Sequence, residues 1–319
     1  MNISQLKERL YTHLKNSNSN KIKPSVSDID NILNKDLLTF QDIINTPINL
    51  GIDTENITTN YNDIDVNTNS QLFNEKLVNI EPELNEFKSF NRSLLPSSET
   101  RTKNLWARES VARKLVLANE ILKLYTKDNT EEFGGQLQLY LKDIYKPIEA
   151  QISLWNNILN REIKNANGNK EEGYRIAKIL CSEPTNFNPN NPKTAPIHTT
   201  GGAVDTFLYS DKGSQYAIIT ITDYTDENDI NKVVDHYNTD YFEKKLKNNK
   251  NLTDEEALCL RNRRILFYIM SIVGFENYIK EPWHFDYKDQ MYAMMKNKRY
   301  NMNIIAEYGY AKHPENNGR

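Results

Sequence analysis

Cysteine is nearly absent. The 319 residues contain two, Cys181 and Cys259, and neither belongs to a Cys-x-x-Cys pair. That excludes a disulfide-rich scaffold and leaves two reduced, mostly buried thiols as the expectation; nothing in the sequence asks for a bridge between them. Long apolar runs are absent too. No stretch approaches the roughly 18 consecutive apolar residues of a membrane span. The N-terminus, MNISQLKERLYTHLK, lacks the apolar region and small-residue cleavage site of a signal peptide. A cytoplasmic location is therefore expected, with export by a route that needs no such signal left open. Neither charge sign dominates: 40 basic and 43 acidic residues are well mixed, for a net charge of −3. No basic block or stripe marks a nucleic-acid surface, so no nucleic-acid partner is expected. Histidine is scarce, with five in the chain: His13, His198, His236, His284 and His313.

At 38% hydrophobic residues the chain is more polar than average but able to form a core. Its length suits one large domain, or one domain with an extension. Residues 1–75 stand apart: KNSNSNK and NITTNYNDIDVNTNS are rich in Asn, Asp, Thr and Ser, with apolar residues in short groups such as LLTFQDII. This reads as an Asn-rich N-terminal extension with short helices at most, loosely packed, ahead of a domain over residues 76–319.

From residue 105 the periodicities sharpen. In WARESVARKLVLANEILKLY, Val111, Leu115, Ala118, Leu122 and Tyr125 follow the alternating four-three spacing of one helical face. GQLQLYLKDIY alternates through Leu137, Leu139 and Leu141, the pattern of a half-buried strand. Pro147 suits the start of a further helix, with Ile148, Ile152, Trp155 and Leu159 as its apolar face. SEPTNFNPNNPKTAP, with four prolines, is a loop. GGAVDTFLY and QYAIITIT flank the turn-forming SDKGS and read as a hairpin. Thr253 opens a capping box with Glu256, and the helix that follows ends at Gly274, a C′ glycine. Helix, strand, helix, hairpin, helix and strand in that order give an α+β class with a mainly antiparallel sheet flanked by helices.

Two of the five histidines keep informative company. His198 begins HTTGGAVD, which places a loop histidine seven residues before a strand carboxylate, Asp205, with Gly201 and Gly202 between. Imidazole nitrogen and carboxylate oxygen are both zinc donors, yet this spacing alone is a weak signal that favours an ordinary loop over a metal site. His284 ends EPWH, which adds Glu281. Pro282 disfavours helical backbone at Glu281, so this is not the helical H-E-x-x-H arrangement. In an ideal strand Glu281 and His284 would face opposite sides, and the segment must bend for both to reach one site. If His198, Asp205 and His284 share a zinc ion, a fourth position stays open for water, the pattern of a catalytic site. Glu281 is then a general base; otherwise it is a solvated carboxylate.

Together the motifs H-x-x-G-x-A-x-D (His198, Gly201, Ala203, Asp205) and E-x-W-H (Glu281, Trp283, His284) resemble the D-alanyl-D-alanine dipeptidases, the family of the vancomycin-resistance dipeptidase. WARESVARKLVLANEIL and RNRRILFYIMSIVGFENY resemble the helices ahead of that family's D-x-Y-R-P motif and its Glu-x-Trp-His strand, so the resemblance covers roughly residues 76–310. It implies one Zn2+ held by His198, Asp205 and His284, and Glu281 as catalytic base. It implies hydrolysis of the small dipeptide D-Ala-D-Ala, on the α+β zinc fold shared with D-Ala-D-Ala carboxypeptidases and hedgehog domains. It also implies that Asp223, in TDYTDE, binds the substrate's free amino group; the alternative is a residue that merely ends a strand. Two departures stand out. The family's D-x-Y-R-P reads DIYKP, with Lys146 at the arginine that stabilises the transition state, and Pro196 stands where serine is common. Lysine keeps the charge but not the planar fork. A D,D-carboxypeptidase acting on peptidoglycan stem peptides and a zinc-containing binding module with weakened catalysis are the alternatives on the same scaffold.

Overall fold

Three pieces of physics fix the element boundaries: caps at helix starts, alternation in the strands, and a bulge that interrupts one of them. The computed structural model describes residues 3–16, 22–52, 54, 60–80, 105–128, 133, 135–210, 217–218 and 236–313. Within them, helices α1 (Ile3–Asn16), α2 (Val26–Leu33) and α3 (Phe40–Asn45) precede strands β1 (Leu77–Asn79) and β2 (Trp106–Arg108). Then follow α4 (Glu109–Thr126), β3 (Leu137–Asp143), α5 (Ile148–Asn165), α6 (Lys170–Leu180), β4 (Ala203–Ser210) and β5 (Ala217–Ile218). The chain continues with α7 (Tyr241–Lys247), α8 (Asp254–Ile272), β6 (Glu276–Asn277), β7 (His284–Asp286) and α9 (Gln290–Tyr300). The class is α+β, with small antiparallel sheets set among more extensive helix. No helix among the described residues is long and apolar enough to cross a membrane.

Strands β3, β4, β7 and β6 lie side by side in that order, with β5 also paired to β4 and every ladder antiparallel. The β4–β5 pairing is the expected hairpin; its turn and the rest of its second strand lie outside the described residues. On β3, Leu137, Leu139 and Leu141 point into the main core as their alternation requires. Val204 and Leu208 of β4 join them there, and α4 and α8 cover this face. The five apolar positions read from α4 are all buried. Thr253 caps α8 through a complete capping box with Glu256, and Gly274 beyond it has φ +100°. Cys181 and Cys259 are both free thiols.

Two expectations need correction. The apolar face assigned to α5 is wrong in part: Ile148 and Trp155 are buried, but Ile152 is 42% exposed, and Ala150, Gln151 and Glu162 take the buried positions. α5 packs chiefly on α6, and this second contact rotates the buried stripe away from the four-three series. The N-terminal segment is not loosely packed where it is described. Leu6, Leu10 and Leu14 of α1, Ile29 and Ile32 of α2, and Ile43 of α3 belong to the same core cluster as α4 and α8. Capping boxes at Ser25–Asp28 and Thr39–Asp42 start α2 and α3. Lys35 Nζ donates to the Ile272 carbonyl at 2.7 Å, and Arg264 Nη1 donates to the Ile44 carbonyl at 2.8 Å. Polar composition hid this because only every third or fourth residue need be apolar to bury a short helix.

Leu10 is fully buried, so Leu10→Ala is expected to lower the unfolding free energy of the whole chain by about 2–5 kcal/mol. Urea denaturation measures it, and a loss below about 0.5 kcal/mol, the size of an ordinary surface change, would show that α1 is not part of the cooperative core.

Candidate metal centre

The site grows out of one row across three strands. Asp205 on β4 lies opposite His284 on β7 and opposite Asp143 on β3. Directly opposed residues point to the same face of a sheet, so the three side chains gather on the face away from the main core. Asp143 gets there through an irregularity. By strict alternation after Leu137, Leu139 and Leu141 it would enter the core, but the β3–β4 register shifts between Leu141 and Asp143 and turns it to the other face.

His198 approaches from the 3-10 turn Ile197–Thr200. Gly201 continues the chain with φ +74°, and a Cβ there would lie 2.6 Å from Leu77 Cδ2. At Gly202 a Cβ would lie 2.7 Å from the Tyr287 carbonyl oxygen. Both glycines of HTTGGAVD are therefore required where they stand. Buried Arg108 holds the turn from behind, donating from Nε to the Thr200 carbonyl at 2.8 Å and from Nη2 to the Gly309 carbonyl at 3.0 Å.

The bend that EPWH needs is present. The His284 amide donates to the Glu281 carbonyl at 3.1 Å, and the Glu281 amide donates to the Tyr278 carbonyl at 3.0 Å. This tight turn brings the Glu281 carboxylate to 3.8 Å from His284 Nδ1. Asn277 fastens it: its side-chain nitrogen donates to the carbonyls of Glu281 (3.1 Å) and His284 (2.9 Å), while Thr239 Oγ1 donates to its side-chain oxygen at 2.8 Å.

Each imidazole has one nitrogen engaged and one turned inward. His198 Nδ1 lies 2.7 Å from the Ile144 carbonyl. A carbonyl only accepts, so Nδ1 carries the proton and Nε2 keeps its lone pair, 3.5 Å from Asp205 Oδ2. His284 Nε2 lies 3.0 Å from Oδ1 of fully buried Asp286, an arrangement that orients a metal-binding histidine. His284 Nδ1 faces Asp205 Oδ1 at 2.9 Å. Donor atoms of His198, Asp205 and His284 all lie within 4.8 Å of one another. Two imidazole nitrogens and one carboxylate oxygen suit zinc and leave a position for water.

The electrostatics follow from burial among charges. Burial alone would raise the Asp205 carboxyl, but His198, His284 and Lys146 hold it well below the usual range. Burial, then the nearby Lys146 ammonium, lowers His198. Burial opposes charge on His284 too, yet Asp286 and Asp205 outweigh it and raise the ring well above its ordinary value. Burial pushes the Glu281 carboxyl up to about 7. Lys146 is buried with Nζ 2.8 Å from Asp143 Oδ2. Burial pulls its ammonium down, and Asp143 and Asp205 more than restore it, so it stays charged. His198, Asp205, His284, Glu281 and Lys146 all line one cavity of about 1190 Å³.

The structure thus brings together five of the six residues singled out in the sequence; Asp223 lies outside the described residues. Sequence reasoning missed Asp143, Asn277, Asp286 and Arg108. Asp143 was findable, as the first residue of DIYKP, whereas Asn277 and Asp286 carry no local signal.

With that geometry in hand, comparison with known proteins is informative. The sequence pattern of the D-ala-D-ala dipeptidase family matches residues 99–303, more than half of the chain, and the protein belongs to this family. A D-alanyl-D-alanine dipeptidase of Synechocystis sp. is 32% identical over 173 residues, 54% of this chain and 63% of the relative. The match therefore spans less than two thirds of that relative's length.

Removing the Asn277 amide takes one of two donors from the Glu281 and His284 carbonyls, which keep the His284 and Tyr278 amides, and deprives the Thr239 hydroxyl of its nearer acceptor. Asn277→Ala is expected to cost about 1–3 kcal/mol of stability, read by calorimetry; an unchanged unfolding transition would show that the turn holds without it.

Proposed function

We propose that the protein is a zinc-dependent dipeptidase that hydrolyses D-Ala-D-Ala to two molecules of D-alanine, with His198, Asp205 and His284 as zinc ligands and Glu281 as general base. The observation that carries this is the convergence of two imidazole nitrogens and a carboxylate within 4.8 Å of one another, with a further carboxylate, Glu281, 3.8 Å from His284 Nδ1. A zinc ion held there supplies Lewis acidity toward the scissile carbonyl and toward water. The Glu281 carboxylate takes the proton of the attacking water and returns it to the nitrogen of the leaving amine. The Lys146 Nζ, anchored by Asp143, places a positive charge for the carbonyl oxygen as it becomes anionic. Asp223 serves as the carboxylate for the substrate's free ammonium, which favours a dipeptide over a longer chain. A cytoplasmic substrate fits the same reading.

Lysine in place of the family's arginine leaves a point charge without a two-pronged donor, and turnover is expected to suffer. Lys146→Arg should raise kcat/KM if the cavity admits the larger fork, and unchanged or reduced kcat/KM would count against this.

The zinc-loaded chain should release D-alanine from D-Ala-D-Ala and lose that activity with a chelator. Glu281→Gln should keep its zinc, measured by metal analysis, while kcat falls by about 10²–10⁴-fold. Full activity in that variant would overturn the base assignment. Chelator-sensitive cleavage of a D-Ala-D-Ala-ended tripeptide but not the dipeptide would move the reading to a carboxypeptidase. No chelator-sensitive hydrolysis of either would sink the peptidase reading and leave a zinc-containing binding module.

A further inference from the structure

One wall of the cavity carries chemistry that the proposed reaction does not use. Leu154 and Ile158 of α5, and Ile179 and Leu180 of α6, line the same cavity as Glu281 and His284. Leu154 and Ile158 are four residues apart and stack on one helix face. None of the four belongs to a hydrophobic core cluster of the described residues. Leu154, Ile158 and Leu180 are half-buried and Ile179 is exposed. Gly173 admits α5 so closely that a Cβ there would lie 2.6 Å from the Ile163 backbone, Trp155 and Ala177 are buried, and Trp155 meets Tyr174 edge-on at 5.9 Å.

The lining also includes polar residues such as Asn60, Asn62 and Lys193, and Gln151 and Lys178 of the two helices themselves. At about 1190 Å³ the cavity exceeds the roughly 300–1,000 Å³ of pockets that take a drug-sized ligand. Two alanines, with only methyl side chains, would leave the aliphatic wall facing water. Scattered exposed aliphatic residues carry no meaning, but four aliphatic residues that line one cleft mark a place where a ligand can bury apolar surface.

We propose that the α5–α6 hairpin builds a subsite for a bulky apolar side chain, so that dipeptides with a branched aliphatic D-residue on one side of the scissile bond are better substrates than D-Ala-D-Ala. This rests on the dipeptidase reading above and specifies its substrate. The wall acts by removing the side chain from water, which adds to kcat/KM in proportion to the methylenes covered.

The test compares kcat/KM of the zinc-loaded full chain for D-Ala-D-Ala, D-Leu-D-Ala, D-Ala-D-Leu and a D-Ala-D-Ala-ended tripeptide. One of the two leucine dipeptides should exceed D-Ala-D-Ala by about tenfold or more, and which one identifies the side of the bond the wall serves. In a Leu154→Ser, Ile158→Ser double variant, folded by its unchanged circular dichroism, the ratio of leucine to alanine substrate should fall to near one. A Leu154→Met, Ile158→Leu variant should preserve it. D-Ala-D-Ala cleaved as well as or better than both leucine dipeptides would overturn the subsite while leaving the dipeptidase reading intact. A parallel loss on every substrate in the serine variant would do the same, whereas the tripeptide outperforming all three dipeptides would overturn both the subsite and the dipeptidase reading. Cleavage of none of the four would overturn the peptidase reading and the subsite with it.

Discussion

Everything at the centre of this molecule depends on the register that sets Asp205 opposite His284 where β4 meets β7. A slip of one residue would send either side chain to the opposite face of the sheet. The register is held from both ends. At one, Gly202 closes against Tyr287 so tightly that no side chain fits. At the other, the turn over Glu281–His284 is fastened by Asn277. The carboxylate of Glu281 reaches the cavity because the chain bends there, not because of its place in a strand.

Around that pair the charges arrange themselves by mutual need. Burying an isolated carboxylate or ammonium is costly unless it is paired, and here all but Glu281 are closely paired. Asp143 holds Lys146, Asp205 faces both histidines, and Asp286 takes the far nitrogen of His284. The two imidazoles are oriented by acceptors that cannot give up a proton to them, the Ile144 carbonyl and the Asp286 carboxylate. What remains inward is His198 Nε2, His284 Nδ1 and the Asp205 carboxylate, a set that could hold a divalent cation once His284 gives up its inward proton. Glu281 is the member without a close partner in this network, 3.8 Å from its nearest imidazole nitrogen. Its raised pKa has the same origin as its availability for proton transfer.

Much of this was legible in the sequence where the physics is local. The periodicity of α4, the alternation of β3 and the capping box of α8 each depend on residues within a few positions of one another, and each appears as read. HTTGGAVD was a weak signal by its spacing alone and stood out only together with EPWH and the helices that flank them. The rest depends on distant partners. Asn277 matters because Thr239 and the 281–284 turn meet it. Asp143 faces the site because of a register shift that alternation does not announce. Ile152 is exposed because α6 claims a different stripe of α5, and α1–α3 enter the core although their segment is rich in Asn and Ser.

The central claim is that two imidazoles and one carboxylate from three separate elements bind one zinc ion. X-ray absorption spectroscopy of the zinc-loaded chain tests it most directly. The account predicts one zinc per chain, a first shell of nitrogen and oxygen only at about 2.0–2.2 Å, scattering from two imidazoles, and loss of one imidazole in His198→Ala. A sulfur shell at about 2.3 Å, which would place Cys181 or Cys259 on the metal, would contradict it, as would no zinc retained above background.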